Sequence, residues 1–243
     1  MTIDTDWAPE EATRAVLEKV RALGVKTTVF FSTPNPLEDW PLLETGCHPD
    51  LSRRRTPFDE SAGLGMASMQ HDRAVDLAEA DILARYRQAM PGARAVRTHR
   101  FYWHSDLARN MAANGFEHDS SMILPYQPGL KGFKSGRLTR WPVWASDHLH
   151  LARRLPFDSL RLPNFEEPGL KIFCFHVAYL YLNASSLDDF NMIQSRLDNA
   201  DGGRARSGPG VWNLFEMLAG KILEKSQGRW LSEIPPEYVV TGR

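Results

Sequence analysis

The chain has 243 residues, with 29 Lys and Arg against 30 Asp and Glu, and an isoelectric point near 6.7. The positive and negative charges are balanced, and no basic run is longer than Arg53 to Arg55. The sequence therefore gives no sign of a basic surface that would bind nucleic acid or an anionic membrane. The longest apolar stretches, such as residues 172–181, are far shorter than the roughly 20 residues that a bilayer span needs. No Ser/Gly-rich or Pro-rich linker divides the chain, so we expect a single domain over residues 1–243.

Two features bear on the cellular compartment. Acidic residues fall within the first eleven positions, where a signal peptide would have its apolar stretch, so a cytoplasmic location is expected. Cys47 and Cys174 each lie in an apolar segment, which is typical of reduced, buried thiols rather than of a disulfide.

Strand and helix patterns alternate along the chain. Strands are predicted at residues 1–6, 26–31, 42–48, 93–99, 116–123, 138–144 and 171–176. Helices are predicted at 9–24, 72–90, 105–115, 187–197 and 211–225, with a long polar loop at 51–69. Such alternation predicts a parallel sheet, either closed into a barrel or open and doubly wound.

Carboxylate, imidazole and guanidinium side chains recur where the predicted strands end. Residues two apart on a strand face the same side, so Asp4 and Asp6 are expected to share one face. In both kinds of α/β sheet, active sites form at the carboxyl ends of the strands. The polar residues at predicted strand ends are Asp4, Asp6, His48, Arg97, His99 and His176. Asp119 lies within the fifth predicted strand, and Asp147 directly follows the sixth.

These residue types suit a metal-dependent hydrolase. Asp6, His48 and one further histidine could hold a divalent ion such as Zn²⁺ and leave a position open for water. Asp4 could then take a proton from the activated water. His176, on a different strand, could pass a proton to the leaving amine or alcohol.

The opening residues also carry a family resemblance. Residues 2–6, Thr-Ile-Asp-Thr-Asp, resemble the T-F-D-D motif of the polysaccharide deacetylases, the NodB-homology carbohydrate esterases, with one residue inserted between the aspartates. Residues 2–9 are more similar to the opening of the WbmS-type polysaccharide-biosynthesis deacetylase-like proteins. Further blocks similar to that subgroup follow in family order at 46–50, 96–99, 142–144 with Asp147, and 175–176 with 181–183.

The resemblance implies a distorted (β/α) barrel of about seven parallel strands. It also implies that the protein hydrolyses an N-acyl or O-acyl group on a sugar. The implied roles are base for Asp4, metal ligands for Asp6 and His48, orientation of the base for Arg97, and general acid for His176. The implied cofactor is a divalent metal, with Zn²⁺ favoured. The implied substrate is an acylated sugar, a nucleotide sugar or a polysaccharide, and the oligomeric state is left open.

One position departs from the family pattern. The family places two ligand histidines four residues apart, but Ser52 stands four residues after His48, and a serine hydroxyl is a poor Zn²⁺ ligand. We expect His99 to replace it, because it follows Arg97 by two residues on a predicted strand. His71 and His104, near helix starts, are less favoured.

Two further residues are candidates for contacts with substrate. Trp144 could stack on a sugar ring, although aromatic residues in strands more often belong to the core. Asp147 follows the sixth predicted strand and is expected to support the same site.

Two other functions stay open. Loss of a ligand at Ser52 would leave a carbohydrate-binding protein without catalysis, with the nitrogens of His48 and His99 well beyond the roughly 3.5 Å expected of two zinc ligands. An Asp-x-Asp pair also opens haloacid-dehalogenase-like phosphatases, which use the first Asp as a nucleophile. That function needs a late lysine and an acidic pair, for which Lys171 and residues 188–189 are available, but it leaves the strand-end histidines unused.

Overall fold

A ten-stranded sheet forms the centre of the fold. The computed structural model describes residues 1–33, 40–51, 78–158, 161–189 and 207–240. The strands are β1 (Thr2–Asp4), β2 (Thr27–Phe31), β3 (Leu43–Cys47), β4 (Ala95–Val96), β5 (His118–Asp119), β6 (Gly132–Ser135), β7 (Leu138–Arg140), β8 (Ala145–Ser146), β9 (Phe173–His176) and β10 (Val239–Val240).

Helices connect most of these strands. They are α1 (Glu10–Ala22), α2 (Glu79–Ala89), α3 (Leu107–Ala113), α4 (Asp147–Ala152), α5 (Val177–Leu182) and α6 (Val211–Glu224), with 3₁₀ turns at His99–Phe101, Leu231–Glu233 and Pro236–Tyr238. Helix α1 shows why they form: Val16, Leu17 and Val20 make a buried stripe, while acidic residues occupy its first turn and basic residues its last. In the part of the chain that the structure describes, no helix is long and apolar enough to cross a bilayer.

The strand order is β10-β6-β7-β5-β4-β3-β2-β1-β9-β8. Every pairing is parallel except that of β6 with β7. The sheet curls into a half-barrel with β10 and β8 at its two ends. The predicted mostly parallel α/β architecture is confirmed. The described residues form ten strands rather than about seven, and a closed barrel is not confirmed.

Several element boundaries differ from the predictions. The strands predicted at 116–123 and 138–144 shorten to β5 and β7, and beyond them a single bridge joins Ile123 to Val143. The sequence patterns missed β6, β8 and β10, which are too short or too polar to show alternation. Ser52, His71, the polar loop at 51–69 beyond Leu51, and most of the helix predicted at 187–197 lie outside the described residues.

Strand register brings the strand-end side chains together. β1 lies between β2 and β9, with Asp4 paired to Phe30 on one side and to His176 on the other. Because β3 and β4 follow β2 in the same parallel direction, the carboxyl ends of β1, β3, β4 and β9 meet at one edge of the sheet.

Candidate active site

Asp6, His48 and His99 form a cluster of potential metal ligands. One ligand atom from each lies within 4.8 Å of the others. Nε2 of His48 lies 3.3 Å from one carboxylate oxygen of Asp6, and Nδ1 of His99 lies 3.6 Å from the other. The two imidazole nitrogens are 3.4 Å apart. This spacing is close to the separation of about 3.5 Å expected of two nitrogens that share one zinc ion.

The orientation of His48 leaves a nitrogen available for a metal. Its Nδ1 lies 2.7 Å from the carbonyl oxygen of Arg97. A carbonyl only accepts, so Nδ1 carries the hydrogen and Nε2 presents a lone pair toward Asp6. A backbone partner of this kind is the usual outer support of a metal-binding histidine.

The carboxylate of Asp6 also fits a cation. Both of its oxygens are buried, and neither accepts a hydrogen bond from any residue that the structure describes. Burial would raise the pKa of Asp6, but the positive charge of His176 opposes it, and that pKa lies below its usual range. Burial of an ionised carboxylate is costly unless a cation or donors compensate for it. The donor set of Asp6, His48 and His99 therefore fits a divalent cation.

His99 lies in the cluster as predicted, but it does not lie on a strand as the sequence suggested. β4 ends at Val96, and His99 begins a 3₁₀ turn rather than continuing the strand. Arg100 and Phe101 in this turn have positive φ angles of 58° and 55°. The turn, not strand alternation, brings His99 to the cluster. Burial lowers the pKa of His99, which favours the neutral imidazole that a metal needs.

Asp4 lies beside this cluster and is held by a fully buried arginine. Arg97 Nη1 donates to Asp4 Oδ1 at 2.8 Å and to Thr2 Oγ1 at 2.9 Å. Its Nη2 donates to Ser120 Oγ at 2.8 Å. The other carboxylate oxygen, Oδ2, accepts from the Cys174 thiol at 3.3 Å. The same Oδ2 lies 4.0 Å from His48 Nε2, so it faces the metal-ligand cluster.

His176 ends β9 and is fixed by Asp147. Nδ1 of His176 lies 2.7 Å from Asp147 Oδ1, and its backbone N–H donates to Oδ2 at 2.6 Å. Burial would lower the pKa of His176, but the Asp147 carboxylate raises it to about 10. The imidazole is therefore protonated at neutral pH, with Nε2 as its remaining donor.

The other predicted residues lie apart from this centre. Trp144 is fully buried, donates to the carbonyl of Gln127 and packs on Tyr126 and Phe173, so its side chain belongs to the core. Lys171 lines a cavity of about 630 Å³ at the amino ends of β1 and β9, the opposite end of these strands from Asp4 and His176. Asp189 accepts bonds from the N–H groups of residues 185 and 186. The residues needed for a phosphatase are thus not gathered around Asp4.

Trp7 is a site residue that the sequence analysis did not assign. It lies with Asp6, His48 and His99 around a small cavity of about 170 Å³. The indole stacks on His176 at a ring-centroid distance of 5.4 Å and meets His99 edge-on at 5.4 Å. Its φ of 62° turns the ring across the site, and 37% of the residue stays exposed. The sequence signals for Trp7 were its position directly after Asp6 and its place in the opening block, residues 2–9, that resembles the family.

Comparisons with known proteins agree with this architecture. A family model described as WbmS-like polysaccharide deacetylase matches residues 1–194. The structure of WbmS from Bordetella bronchiseptica, described as a polysaccharide deacetylase involved in O-antigen biosynthesis, aligns with a TM-score of 0.74 at 22% identity, covering 90% of this chain and 88% of that one. At 22% identity, this structural similarity establishes a shared fold and nothing more.

A structure described as a polysaccharide deacetylase from Mycobacterium smegmatis aligns with a TM-score of only 0.40 at 14% identity, over 92% of this chain and 81% of that one. No curated protein matches the sequence.

Proposed function

Because the chain belongs to the WbmS-like polysaccharide deacetylase family, we propose that it is a metal-dependent hydrolase that removes an N-acyl or O-acyl group from a sugar or polysaccharide precursor. The observation that carries the proposal is the convergence of Asp6, His48 and His99, whose ligand atoms lie within 4.8 Å of one another beside a buried carboxylate and a protonated imidazole. The same observation disfavours a binding protein without catalysis, since the two nitrogens are 3.4 Å apart.

Asp6, His48 and His99 would hold the cation, for which we propose Zn²⁺. When bound, the ion would act as a Lewis acid that lowers the pKa of the attacking water and polarises the acyl carbonyl. Ser52 is not needed as a ligand in this arrangement, because His99 supplies the third donor atom.

Asp4 acts as the general base. Arg97 fixes one oxygen of its carboxylate, while Oδ2 faces the ligand cluster. Oδ2 accepts one hydrogen bond from the Cys174 thiol and has a further lone pair with which to take a proton from the attacking water.

His176 acts as the general acid from β9, the strand that pairs with β1 next to Asp4. With a pKa raised to about 10, it holds its proton at neutral pH until the leaving amine or alcohol needs it. Asp147 fixes the ring through Nδ1, so the proton is given from Nε2. The partly exposed face of Trp7 beside it offers a surface for the sugar ring.

The test combines metal analysis with a screen of acylated sugars. We expect purified protein to contain about one equivalent of divalent metal and to lose it in Asp6→Asn. Asp4→Asn should keep the metal and lose turnover by about a hundredfold or more, the usual contribution of a general base. His104→Ala, which changes a half-exposed histidine paired with Glu79, is the control and should keep both. Well-folded protein that binds no metal would contradict the proposal.

A further inference from the structure

A second group of potential metal ligands includes the proposed base, Asp4, itself. Asp4, Cys174 and His176 each offer one ligand atom, and these atoms lie within 4.8 Å of one another. Strand register explains the cluster: Asp4 on β1 pairs with His176 on β9. Cys174, two residues before His176, faces the same side of β9. Its sulfur reaches Asp4 Oδ2 at 3.3 Å.

The chemistry of this cluster differs from that of Asp6, His48 and His99. A thiolate is a soft ligand and, with one imidazole and one carboxylate, suits tetrahedral Zn²⁺, Co²⁺ or Cd²⁺. His176 already has the outer support of a ligand, because Asp147 holds Nδ1 and leaves Nε2 to bind.

Cys174 is fully buried, and without an ion its thiol keeps its proton. Burial first, and then the neighbouring Asp4 carboxylate, raise the pKa of this thiol. A coordinated cation reverses that preference, because it displaces the thiol proton to solvent and takes the thiolate as a ligand.

We propose that Asp4, Cys174 and His176 form a second, inhibitory site for a thiophilic divalent cation. The inference rests on the proposed function, in which Asp4 is the base and His176 the acid. A cation on this site takes the Asp4 oxygen and replaces the Nε2 proton of His176, which passes to solvent. Asp4 can then no longer accept a proton, and His176 has none to give. The enzyme is then active with one metal ion and inhibited when zinc is in excess.

Cobalt provides a direct test that does not depend on activity. Metal-free protein is titrated with Co²⁺ while near-ultraviolet absorption is recorded, since thiolate-to-cobalt charge transfer absorbs there and carboxylate or imidazole ligands do not. We expect this band in the wild type once Co²⁺ exceeds one equivalent. It should vanish in Cys174→Ala and Cys174→Ser and persist in Cys47→Ala, which removes the other buried thiol.

The same titration separates the two proposals. In the wild type, the first equivalent of Co²⁺ should bind to Asp6, His48 and His99 and give no thiolate band. In His99→Ala this first ion should no longer bind, whereas the thiolate band from the Cys174 site should still appear. If His99→Ala leaves the first ion in place, the proposed catalytic ligand set is wrong while the inhibitory site stands. If wild-type protein shows no band in excess Co²⁺, or if the band survives in folded Cys174→Ser, the inhibitory site is wrong.

Inhibition gives the functional readout. Each variant is assayed at one equivalent and at excess Zn²⁺, and only the ratio of the two rates is compared. We expect the zinc concentration for half inhibition to rise at least about tenfold in Cys174→Ala, because even outer-sphere partners change metal affinity by that factor. An unchanged concentration would overturn the proposal.

Discussion

Asp4 and Asp6 are two residues apart, yet their surroundings differ. Asp4 is bound by the Arg97 guanidinium and the Cys174 thiol. Asp6 accepts no hydrogen bond from the described residues, although both of its oxygens are buried. The hydrogen bonds from Arg97 and Cys174 fix the position of the Asp4 carboxylate, whereas a buried carboxylate without donors is suited to a cation. The two aspartates therefore have unequal roles.

The Arg97–Asp4 ion pair should be essential to stability. Arg97→Met leaves the Asp4 charge buried without its partner, so we expect a loss of about 3–5 kcal/mol in the free energy of unfolding. Urea denaturation at pH 7 measures it. The matched control is Arg94→Met, which breaks a half-exposed pair with Glu117 and should cost less than about 1 kcal/mol. Equal losses in the two variants would contradict this account of the buried pair.

The His176–Asp147 pair should show itself in a pH titration. We expect Asp147→Asn to lower the pKa of His176 from about 10 toward the ordinary value of about 6.5, because the first of the charges that raise it is removed. NMR of the ring protons in metal-free protein reports this pKa. His118 is an internal reference, since Asp147 is not among the charges that shift its pKa.

The same pair makes stability depend on pH with a defined sign. The pKa of folded His176 lies above its unfolded value, so the pair contributes stability that is complete below about pH 6.5 and is lost as pH rises through about 10. The gap in unfolding free energy between wild type and Asp147→Asn should therefore be widest near pH 6 and become narrower above pH 10. A gap that widens with rising pH would exclude this coupling.

At the scale of elements, the packing of β3 between β2 and β4 leaves no room for a side chain at Gly46. A Cβ on Gly46 would lie 2.6 Å from the ring of Phe30 on β2 and 3.3 Å from the carbonyl oxygen of Ala95 on β4. The same Phe30 ring packs under the Arg97 guanidinium at 4.4 Å. Gly46 thus admits the ring that supports the arginine holding Asp4.

We expect Gly46→Ala to cost about 1–3 kcal/mol of stability through overpacking. Gly220→Ala is the matched control: it lies inside α6 with no atom within 4 Å of an added Cβ, and it should gain about 0.5–1 kcal/mol. Thermal unfolding of the two variants checks both signs. Stabilisation by alanine at Gly46 would refute the packing argument.

The elements also show what sequence patterns could predict. Helix α1 and strands β2 and β9 have strong periodicity or β-branched and aromatic runs, and they formed close to the predicted bounds. β10 has only two residues and exists through its pairing with β6, far away in sequence. No local sequence pattern encodes such a long-range contact, so β10, at one end of the half-barrel, could not be predicted from the sequence.

For the whole molecule, the strand-end rule located most of the candidate site. Asp4, His48 and His176 were found because parallel strands place their carboxyl ends together, a consequence of topology rather than of detailed packing. Trp7 was missed because its orientation depends on a positive φ, which no periodicity reveals. The family and its chemistry came from the ordered motifs, since spacing alone does not distinguish one α/β fold from another.

The proposed cation should stabilise the whole fold. Its ligands, Asp6, His48 and His99, come from three segments that only the folded sheet brings together, so the ion binds the native state and not the unfolded chain. At a free Zn²⁺ concentration a hundred times the dissociation constant, the gain is about 2.7 kcal/mol. For a chain of this size we expect the midpoint of thermal unfolding to rise by about 5–10 °C when Zn²⁺ is added to metal-free protein. His99→Ala should lose most of this rise, while His104→Ala should keep it. A full rise in His99→Ala would mean that zinc stabilises the fold from a site other than Asp6, His48 and His99.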